Sequence, residues 1–438
     1  MILQDWWYTT LLGIKSPLQP PLRGTLRVEY LVVGAGMAGL MAALRLMAAG
    51  RRVALVERNI CGGSSTGRSA GFLTPDSELE LSQLLRRYGP DRARDLWDAA
   101  ARGIALITEM ARAHDIACDL QRQDSLFVGN GARGWHAAQA EVDARRRLGY
   151  PQTLYTAAEL PSILGSTAYA GGIRYPDCYG INALQFAQGV KRVLVANGVQ
   201  VYESTEAIAL DDHTVRTPLG AVTAEHIVFC IDKPPAQLTR YAANVFHAQT
   251  FLAISEPLGD ADVRRLFPQE PLQCWDSDLL YTYWRLTGGQ RLLVGGGSAL
   301  TTFALHAVRT PRVIRRVIGR FKAKFPFLAR HPWIQYWPGL IDTTRDLLPT
   351  VVRDPRMPWV HWVLGCVGLP WAAFCGDFVA RQVLGTAADE ARYYDYFTPD
   401  RSFLVPLWAE RVAGKPLVFS LNNAWAKYYQ VDRTTSRT

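Results

Sequence analysis

The chain has 438 residues, of which 49% are hydrophobic and 20% are charged, and its formal net charge is +9 at pH 7. This length allows two domains, and the composition is typical of a soluble globular protein. Nucleic-acid binding is not expected, because we interpret the arginines as scattered along predicted helices, where they give a solvated basic surface and not one basic tract.

Residues 1–26 are predicted to form an extended arm. They contain several prolines and lack the basic region, apolar region and small-residue cleavage site of a signal peptide. No apolar run of about 18 residues is free of charge or glycine, so no membrane span is expected, although peripheral contact with the inner face of a membrane stays open. The seven cysteines form no CxxC pair, which favours free thiols and a cytoplasmic protein. The eight histidines lack metal-ligand spacing, so no metal site is expected.

The next segment predicts a strand, a glycine turn, a helix and a second strand. "VEYLVV" at 28–33 is a buried strand, "MAGLMAALRLMAAG" is a helix that ends near Gly50, and "RVALVE" is a strand that ends at Glu57. Gly34 allows the tight turn, Gly36 allows a pyrophosphate to approach the backbone, and Gly39 allows close packing of helix on strand. The acidic residue at 57 would accept from ribose hydroxyls and disfavours NADP. The segment therefore predicts a dinucleotide site.

The stretch "RNICGGSSTGRSAGF" at 58–72 favours FAD over NAD. A long loop of small residues that includes Arg68 can wrap a larger cofactor and offer hydroxyl and N–H groups to it. The alternative is a flexible surface loop. The cofactor-binding candidates in this part of the chain are Gly34, Ala35, Gly36, Met37, Ala38, Gly39, Glu57, Arg58, Ser65, Thr66, Arg68, Ser69 and Ala70.

Further elements follow in chain order. They are a helix that begins near Pro90, a capping box from Thr156 to Glu159, a helix from an Asn182 cap to Gly198, and strands at 199–204 and 226–231. A hairpin is then predicted from "LLYTYWRL", the turn "TGGQ" and "RLLVGG" at 279–296. Alternation places Tyr281, Tyr283 and Arg285 on one face of its first strand and Thr282 and Trp284 on the other. The first face is expected to border a cavity, with sheet core as the alternative.

In the order and spacing of its motifs, the chain resembles the D-amino-acid oxidase and glycine oxidase superfamily of FAD-dependent amine oxidoreductases, nearest its gamma-glutamylputrescine oxidase branch. The residues that carry the resemblance include the glycine turn, "SSTGRSAG", "YGPDRARDLW", "GGIRYPDCYGINALQFAQGVKRVLVANGVQVYE", "YTYWRLTGGQRLLVGGG" and "TTRDLLPTV". The resemblance implies an α/β plus α+β fold with a discontinuous Rossmann-like FAD-binding domain and an antiparallel-sheet substrate domain. The implied boundaries are 27–110, 166–245 and 338–390 for the FAD-binding domain, 111–165 and 246–337 for the substrate domain, and 391–438 for a C-terminal extension.

A late segment at 361–385, "HWVLGCVGLPWAAFCGDFVARQVLG", predicts a second cofactor contact. A strand leads to Gly365 and Gly368, and a helix with Pro370 in its first turn follows. The amide end of that helix would stabilise negative charge on a reduced flavin. The cofactor candidates here are Gly365, Val367, Gly368 and Leu369, and Asp346 joins them through the family's Thr-x-Asp-x-x-Pro pattern. Relatives often carry histidine where this chain has leucine at 369, and Cys366 is interpreted as an ordinary thiol.

The resemblance implies oxidation of a primary or secondary amine or amino acid, by hydride transfer from its α-carbon to N5 of FAD, to an imine that hydrolyses. Tyr281, Tyr283, Arg285 and Trp371 are the candidate catalytic residues, with the arginine holding a substrate carboxylate and the aromatic rings an ammonium group. Oxygen or a quinone or carrier would accept the electrons. The alternatives are an FAD dehydrogenase, a hydroxylating monooxygenase, or a flavin-binding partner or maturation protein without turnover. The oligomeric state stays open. The C-terminal stretch from Arg401 is expected to pack across the domains.

Overall fold

The computed structural model describes residues 1–76, 78–278, 280–297, 309–401, 403, 405, 409–415, 417 and 418. Its helices are α1 Trp6–Thr10, α2 Met37–Ala48, α3 Leu81–Ala113, α4 Gly131–Leu148, α5 Ala183–Ala196, α6 Asp260–Leu266, α7 Pro311–Lys324, α8 Leu369–Val383, α9 Arg392–Phe397 and α10 Ala409–Ala413. Its strands are β1 Ile2–Leu3, β2 Gly24–Val33, β3 Val53–Val56, β4 Phe72–Leu73, β5 Gln121–Arg122, β6 Ser125–Val128, β7 Thr153–Thr156, β8 Gly171–Tyr175, β9 Tyr179–Gly180, β10 Gln200–Tyr202, β11 Ala209–Asp211, β12 Thr214–Thr217, β13 Gly220–Phe229, β14 Phe246–Pro257, β15 Gln273–Asp276, β16 Tyr283–Leu286, β17 Arg291–Gly296, β18 Trp333–Thr343, β19 Thr350–Arg353 and β20 Val360–Leu364.

One sheet contains the predicted cofactor strands. β10, β3, β2, β13 and β20 lie side by side and parallel, and β12, β11 and β19 join antiparallel. β3 is buried along its whole length because helices and loops cover both faces of the sheet. Val33 pairs with Val56 and with Phe229, so the carboxyl ends of β2, β3 and β13 meet at one edge. The residues that follow these strands are thereby brought together.

The second sheet is nearly all antiparallel. Its order is β1-β18-β14-β17-β16-β15-β6-β8-β7, with parallel pairing only between β1 and β18 and between β6 and β15. Helix α7 covers one face, where its apolar side packs against Leu126, Phe251 and Trp284. The fold is therefore mixed α/β with a parallel-containing sheet and an antiparallel sheet, as predicted.

Helices α2 and α8 pack on the first sheet, and α3 packs on the outer side of α8. The core around them includes Leu40, Ile104 and Phe374. α3 changes direction at Gly89, whose φ is +77°, directly before Pro90. The predicted helix from this proline is confirmed, but helical structure already begins at Leu81, because a left-handed glycine lets the chain turn before the proline ring interferes.

Other predicted elements agree with the structure, with three differences. The N-terminal arm is not extended throughout, because Asp5 caps the short helix α1. The strands at 28–33 and 52–57, the helix capped by Asn182 and the hairpin across β16 and β17 are present. Glu159 accepts from the N–H and hydroxyl of Thr156, but only a short 3-10 turn follows, because Ile163 and Leu164 turn into the core. β8 pairs with β6 and β7 in the antiparallel sheet, although residues 166–245 were assigned to the FAD-binding domain. The domain boundaries otherwise stay a prediction.

All seven cysteines are free, as predicted. Across the described ranges, no helix is both long enough and apolar enough to cross a membrane. Before the C-terminal stretch, α9 contacts Trp371 and Phe374 through Phe397 and Tyr393. Most of the stretch from Arg401 lies outside the described residues, so its packing across the domains stays a prediction.

Candidate active site

A cavity of about 1780 Å³ lies where the four parallel strands β2, β3, β13 and β20 end. The residues directly after these strands, Gly34, Glu57, Cys230 and Gly365, all line it, and it continues to β14, β16 and β17 of the antiparallel sheet. The volume exceeds the roughly 300–1000 Å³ usual for a small-molecule site. It therefore has room for a large cofactor and a second molecule.

Most predicted site residues line this cavity. They are Gly34, Gly36, Met37, Ala38, Glu57, Arg58, Ser65, Thr66, Arg68, Ser69, Ala70, Tyr281, Tyr283, Gly365, Val367, Gly368 and Leu369. Five others are outside the lining: Ala35, Gly39, Arg285, Asp346 and Trp371. Ala35 and Gly39 belong to the turn and helix behind the cavity wall, and Arg285, Asp346 and Trp371 make their contacts elsewhere in the protein.

Two positions of the glycine turn have no room for a side chain. Gly34 has φ of +97°, and a Cβ there would lie 2.3 Å from the carbonyl oxygen of Cys230. A Cβ on Gly39 would lie 1.8 Å from the carbonyl oxygen of Gly34. Gly36, the N-cap of α2, borders the cavity itself. The first helical turn can thus approach β2 closely and present its N–H end to an anion, which is the arrangement that binds a pyrophosphate.

Glu57 braces this turn from the end of β3. Its Oε2 accepts from the N–H of Ala35 at 2.8 Å, and its Oε1 accepts from the N–H of Asn59 at 2.9 Å. Burial raises the pKa of Glu57, and these N–H groups oppose the increase. Each carboxylate oxygen has a second lone pair. The side chain can therefore hold the turn and still accept from a ribose hydroxyl, a contact that stays a prediction.

The 58–72 loop turns its carbonyl groups away from the cavity. Four donors that do not line the cavity satisfy four carbonyls of this loop, three of which are consecutive. The pairs are Tyr8 Oη to Gly63 O at 2.7 Å, Trp337 Nε1 to Arg68 O at 3.1 Å, Trp7 Nε1 to Ser69 O at 2.8 Å and Arg285 Nε to Ala70 O at 2.8 Å. On the cavity side, Thr66 Oγ1 accepts from Met37 N at 3.0 Å and so joins the loop to the first turn of α2. The cavity face is left mainly with hydroxyl groups and N–H groups.

The role of the N-terminal arm was not predicted from the sequence. Trp7 is almost fully buried, and its ring contacts Trp337 edge to face at 6.2 Å. Asp5 caps α1 by accepting from the N–H of Trp7. The signal that could have indicated this role is the aromatic run "WWY" in an otherwise proline-rich arm, because exposed aromatic clusters are uncommon on soluble proteins.

We expect Trp7→Phe and Tyr8→Phe each to raise the dissociation constant for FAD by roughly five- to thirtyfold, because each change leaves a buried loop carbonyl without its donor. Flavin fluorescence quenching during titration of apoprotein measures this. Trp6→Phe is the matched control, since the Trp6 side chain makes no hydrogen bond to the loop, and its affinity should stay within twofold. Equal affinities for all four proteins would show that the arm does not position the loop.

The late glycine segment reaches the cavity as predicted. Gly365 and Gly368 have φ values of +64° and +90°, and α8 begins at Leu369 with a proline in its first turn. The helix ends before Gly385, whose φ is +73°. Because Val367 and Leu369 line the cavity, the positive end of the α8 dipole lies at its wall. This end can stabilise negative charge on a bound group without a charged side chain.

Trp371 is not a cavity residue. It is buried in the core, where its ring meets Phe397 edge to face at 5.7 Å. Leu369 and Ala372 line the cavity, and they are three residues apart on one face of α8. A helix rotates about 100° per residue, so residue 371 points away from that face. Its predicted contact with substrate is therefore wrong.

Asp346 also lies outside the cavity lining. Arg401 forms a two-pronged pair with it, Nε to Oδ2 at 2.8 Å and Nη2 to Oδ1 at 2.7 Å. Burial alone would raise the pKa of Asp346, but the charge and hydrogen bonds of this arginine hold it below its ordinary value. The neighbouring Leu347 lines the cavity instead, with φ of +70°. The aspartate thus holds the 344–348 loop in place from the side that faces away from the cavity.

Tyr281 and Tyr283 border the cavity, with ring centroids 5.6 Å apart. Trp284 points to the opposite face, where it stacks on Tyr169, as the alternation predicted. Arg285 shares the tyrosine face but is fully buried beneath the 58–72 loop. Its guanidinium donates to the carbonyls of Ala70, Leu286 and Ile181.

The predicted role of Arg285 as a ligand for a substrate carboxylate is therefore wrong. Burial lowers its pKa to about 10. The sequence showed the correct face of the strand, but not that a loop from 200 residues earlier covers it. The guanidinium instead donates hydrogen bonds to main-chain carbonyls of the cofactor loop and of residue 181.

The sequence did not indicate the carboxyl groups that line the cavity. Asp76 accepts from Thr74 Oγ1 at 2.6 Å and from Tyr175 Oη at 2.8 Å, and burial raises its pKa to about 6. Burial likewise raises the pKa of Asp276 to about 6. Glu80 accepts from the indole N–H of Trp275 at 2.9 Å. The acidic run "PDSELE" after the glycine loop was the available signal.

These features together fit FAD. The glycine turn offers a helix N-terminus to a diphosphate, Glu57 lines the cavity where a ribose contact is predicted, and the hydroxyl-rich loop and the amide end of α8 border the remaining length of the cavity. The adjoining region near β16 has aromatic and carboxyl groups, which suits a smaller second molecule.

Comparisons with known proteins agree with this site. The sequence model of the family described as DAO, FAD dependent oxidoreductase, matches residues 29–382. The chain is 28% identical to gamma-glutamylputrescine oxidoreductase of Escherichia coli K12 over 84% of its length and 86% of that protein. It is 26% identical to the probable oxidoreductase OrdL of Haemophilus influenzae over 84% of its length and 85% of that protein.

A solved structure shows the same fold. Glycine oxidase from Geobacillus kaustophilus aligns with a TM-score of 0.74 and 21% identity, over 86% of this chain and 99% of the other. The family match covers the glycine turn, the carbonyl-anchored loop and α8, which are the elements around the cavity. The chain is a member of the DAO family of FAD-dependent oxidoreductases.

Proposed function

We propose that the chain oxidises a primary or secondary amine or an amino acid to an imine, which then hydrolyses. The observation that carries this proposal is one continuous cavity that joins the dinucleotide turn to a region with Tyr281, Tyr283, Asp76 and Asp276. The names of the Escherichia coli relative and of the aligned glycine oxidase support the substrate class. Bound FAD supplies the acceptor for the hydride that leaves the α-carbon.

The residues of this chain have three tasks in such a reaction. The aromatic faces of Tyr281 and Tyr283 can receive an alkylammonium group. A buried carboxyl with a pKa near 6, as at Asp276, can take up the proton that the amine must lose. The N-terminal end of α8 stabilises the negative charge that accompanies reduction.

The experiment that tests the proposal is an anaerobic panel of amino acids, N-methyl amines and polyamines added to the FAD-loaded protein. We expect at least one class to bleach the visible flavin absorbance within seconds. Readmission of oxygen then separates an oxidase, which recovers colour quickly, from a dehydrogenase that needs a quinone or carrier. If no amine or amino acid bleaches the flavin, the proposal is wrong, and the alternatives of another FAD-dependent reaction or a flavin-binding partner protein gain support.

A further inference from the structure

The positive charge of the chain is concentrated in one segment. Residues 279–341 contain ten Lys and Arg residues and no Asp or Glu. The rest of the chain has 38 Lys and Arg against 39 Asp and Glu and is close to neutral. This corrects the interpretation that the arginines are evenly scattered. The net charge of the protein therefore belongs mainly to one region.

Helix α7 displays much of this charge on one face. Its buried residues are Val313, Ile314, Val317, Ile318 and Phe321, which pack on the antiparallel sheet. Its exposed arginines are Arg312, Arg315, Arg316 and Arg320. At about 100° per residue, these arginines fall within an arc of roughly 140° opposite the buried side. They extend over about 12 Å of the helix axis.

The arginine face is not explained by folding. In the part of the chain that the structure describes, none of the four guanidinium groups forms an ion pair with a carboxylate, although burial raises the pKa of the more distant Asp276 and the charge of Arg320 opposes that increase. Like charges four residues apart, as in Arg312 with Arg316 and Arg316 with Arg320, destabilise a helix by a few tenths of a kcal/mol per pair. A solvated face without a partner would be more stable with mixed charges. Repulsion among these arginines thus destabilises the helix, and a bound polyanion would remove that repulsion.

We infer that the α7 arginine face, defined as Arg312, Arg315, Arg316 and Arg320, binds an anionic phospholipid bilayer. Gly319 and Ala323 occupy other exposed positions between the arginines. The face therefore has no aromatic or large apolar anchor of the kind that dominates protein interfaces or stacks on single-stranded bases. A plane of anionic headgroups requires only delocalised positive charge, which this face supplies. The apolar side of the helix stays in the core, so the protein adsorbs and does not insert.

Co-sedimentation of the FAD-loaded full chain with vesicles tests this inference. We expect binding to phosphatidylglycerol vesicles at 0.1 M salt, none to phosphatidylcholine vesicles, and release at 0.5 M salt as screening increases. The variant R312Q/R315Q/R316Q/R320Q should reduce the partition coefficient by roughly 10² to 10³, because each basic residue contributes about fivefold. Its thermal midpoint and flavin content should equal or exceed those of the parent.

A charge-matched control separates a defined face from general basicity. Arg23, Arg27, Arg52 and Arg192 are exposed and lie outside the segment 279–341, so R23Q/R27Q/R52Q/R192Q lowers the net charge equally. This control should bind vesicles within about threefold of the parent. Equal loss in both variants, absence of binding by the parent, or binding to duplex DNA at 0.1 M salt without binding to vesicles would each overturn the inference.

Discussion

Gly39→Ala is expected to yield a protein that does not retain FAD. The added Cβ would lie 1.8 Å from the carbonyl oxygen of Gly34, and neither atom can move without displacing α2 from β2. Overpacking of a buried site costs about 1–3 kcal/mol, and more when the obstacle is backbone. Relief of the clash must move the first turn of α2, which is the diphosphate contact. We expect a loss of FAD affinity of at least about a hundredfold, measured as bound flavin per chain after gel filtration.

The control for this prediction is Gly319→Ala in α7. That glycine is helical and exposed, and an added Cβ meets no atom within 4 Å. Alanine is favoured over glycine inside a helix by roughly 1 kcal/mol, so the control should be as stable as the parent or more so. A Gly39→Ala protein with full flavin content would show that helix and strand do not pack as closely as the structure indicates.

The second large effect is expected at Arg401. Arg401→Met should lower the free energy of unfolding at pH 7 by about 3–5 kcal/mol, because it leaves the carboxylate of Asp346 buried without its charge partner. Asp346→Asn combined with Arg401→Met should recover part of this loss, since no unpaired charge remains. Arg23→Met, at an exposed position, should change stability by less than about 0.5 kcal/mol. Denaturant unfolding of the four proteins measures these differences.

The pH dependence gives this prediction a distinctive sign. In the parent, pairing with Arg401 lowers the pKa of Asp346, so its contribution is complete above the unfolded value of 3.8 and is lost as the pH falls through the lower folded value. In Arg401→Met the carboxyl keeps hydrogen bonds from Thr344 and the N–H of Leu348 but loses its paired charge. Burial, which raises the pKa of Asp346, then dominates, and we expect that pKa to rise above the unfolded value. The deficit relative to the parent should therefore be smaller at pH 5 than at pH 7. An equal deficit at both values would mean that the two side chains are not coupled.

The cofactor half of the site was predictable because its chemistry depends on local order along the chain. Gly34, Gly36 and Gly39 between a buried strand and an amphipathic helix define one backbone path, and Glu57 follows at the end of the next strand. The same holds for the late segment. Its strand, Gly365, Gly368 and α8 follow one another directly along the chain. In both places the main chain performs the function, and glycine and proline positions in a sequence report main-chain geometry directly.

The predictions that failed concern side chains whose partners are distant in sequence. Arg285 lies on the predicted face of its strand but is covered by a loop from about 200 residues earlier, and Asp346 meets a partner 55 residues later. Trp371 was a different kind of error, since helical rotation already places it away from Leu369 and Ala372. The contact of Trp7 was missed because its partner is distant in sequence. Its indole N–H donates a hydrogen bond to a loop carbonyl 62 residues away, and no local pattern indicates that bond.

The central claim is that this cavity holds FAD by its diphosphate at the α2 turn and by its ring system at the amide end of α8. The most direct test is titration of the apoprotein with FAD and with FMN, which lacks the adenylate half, followed by mass identification of the flavin released on denaturation. We predict a yellow protein that retains FAD at one per chain and binds FMN at least a hundredfold more weakly. A colourless protein that takes up neither flavin, or one that binds both equally, would contradict the account.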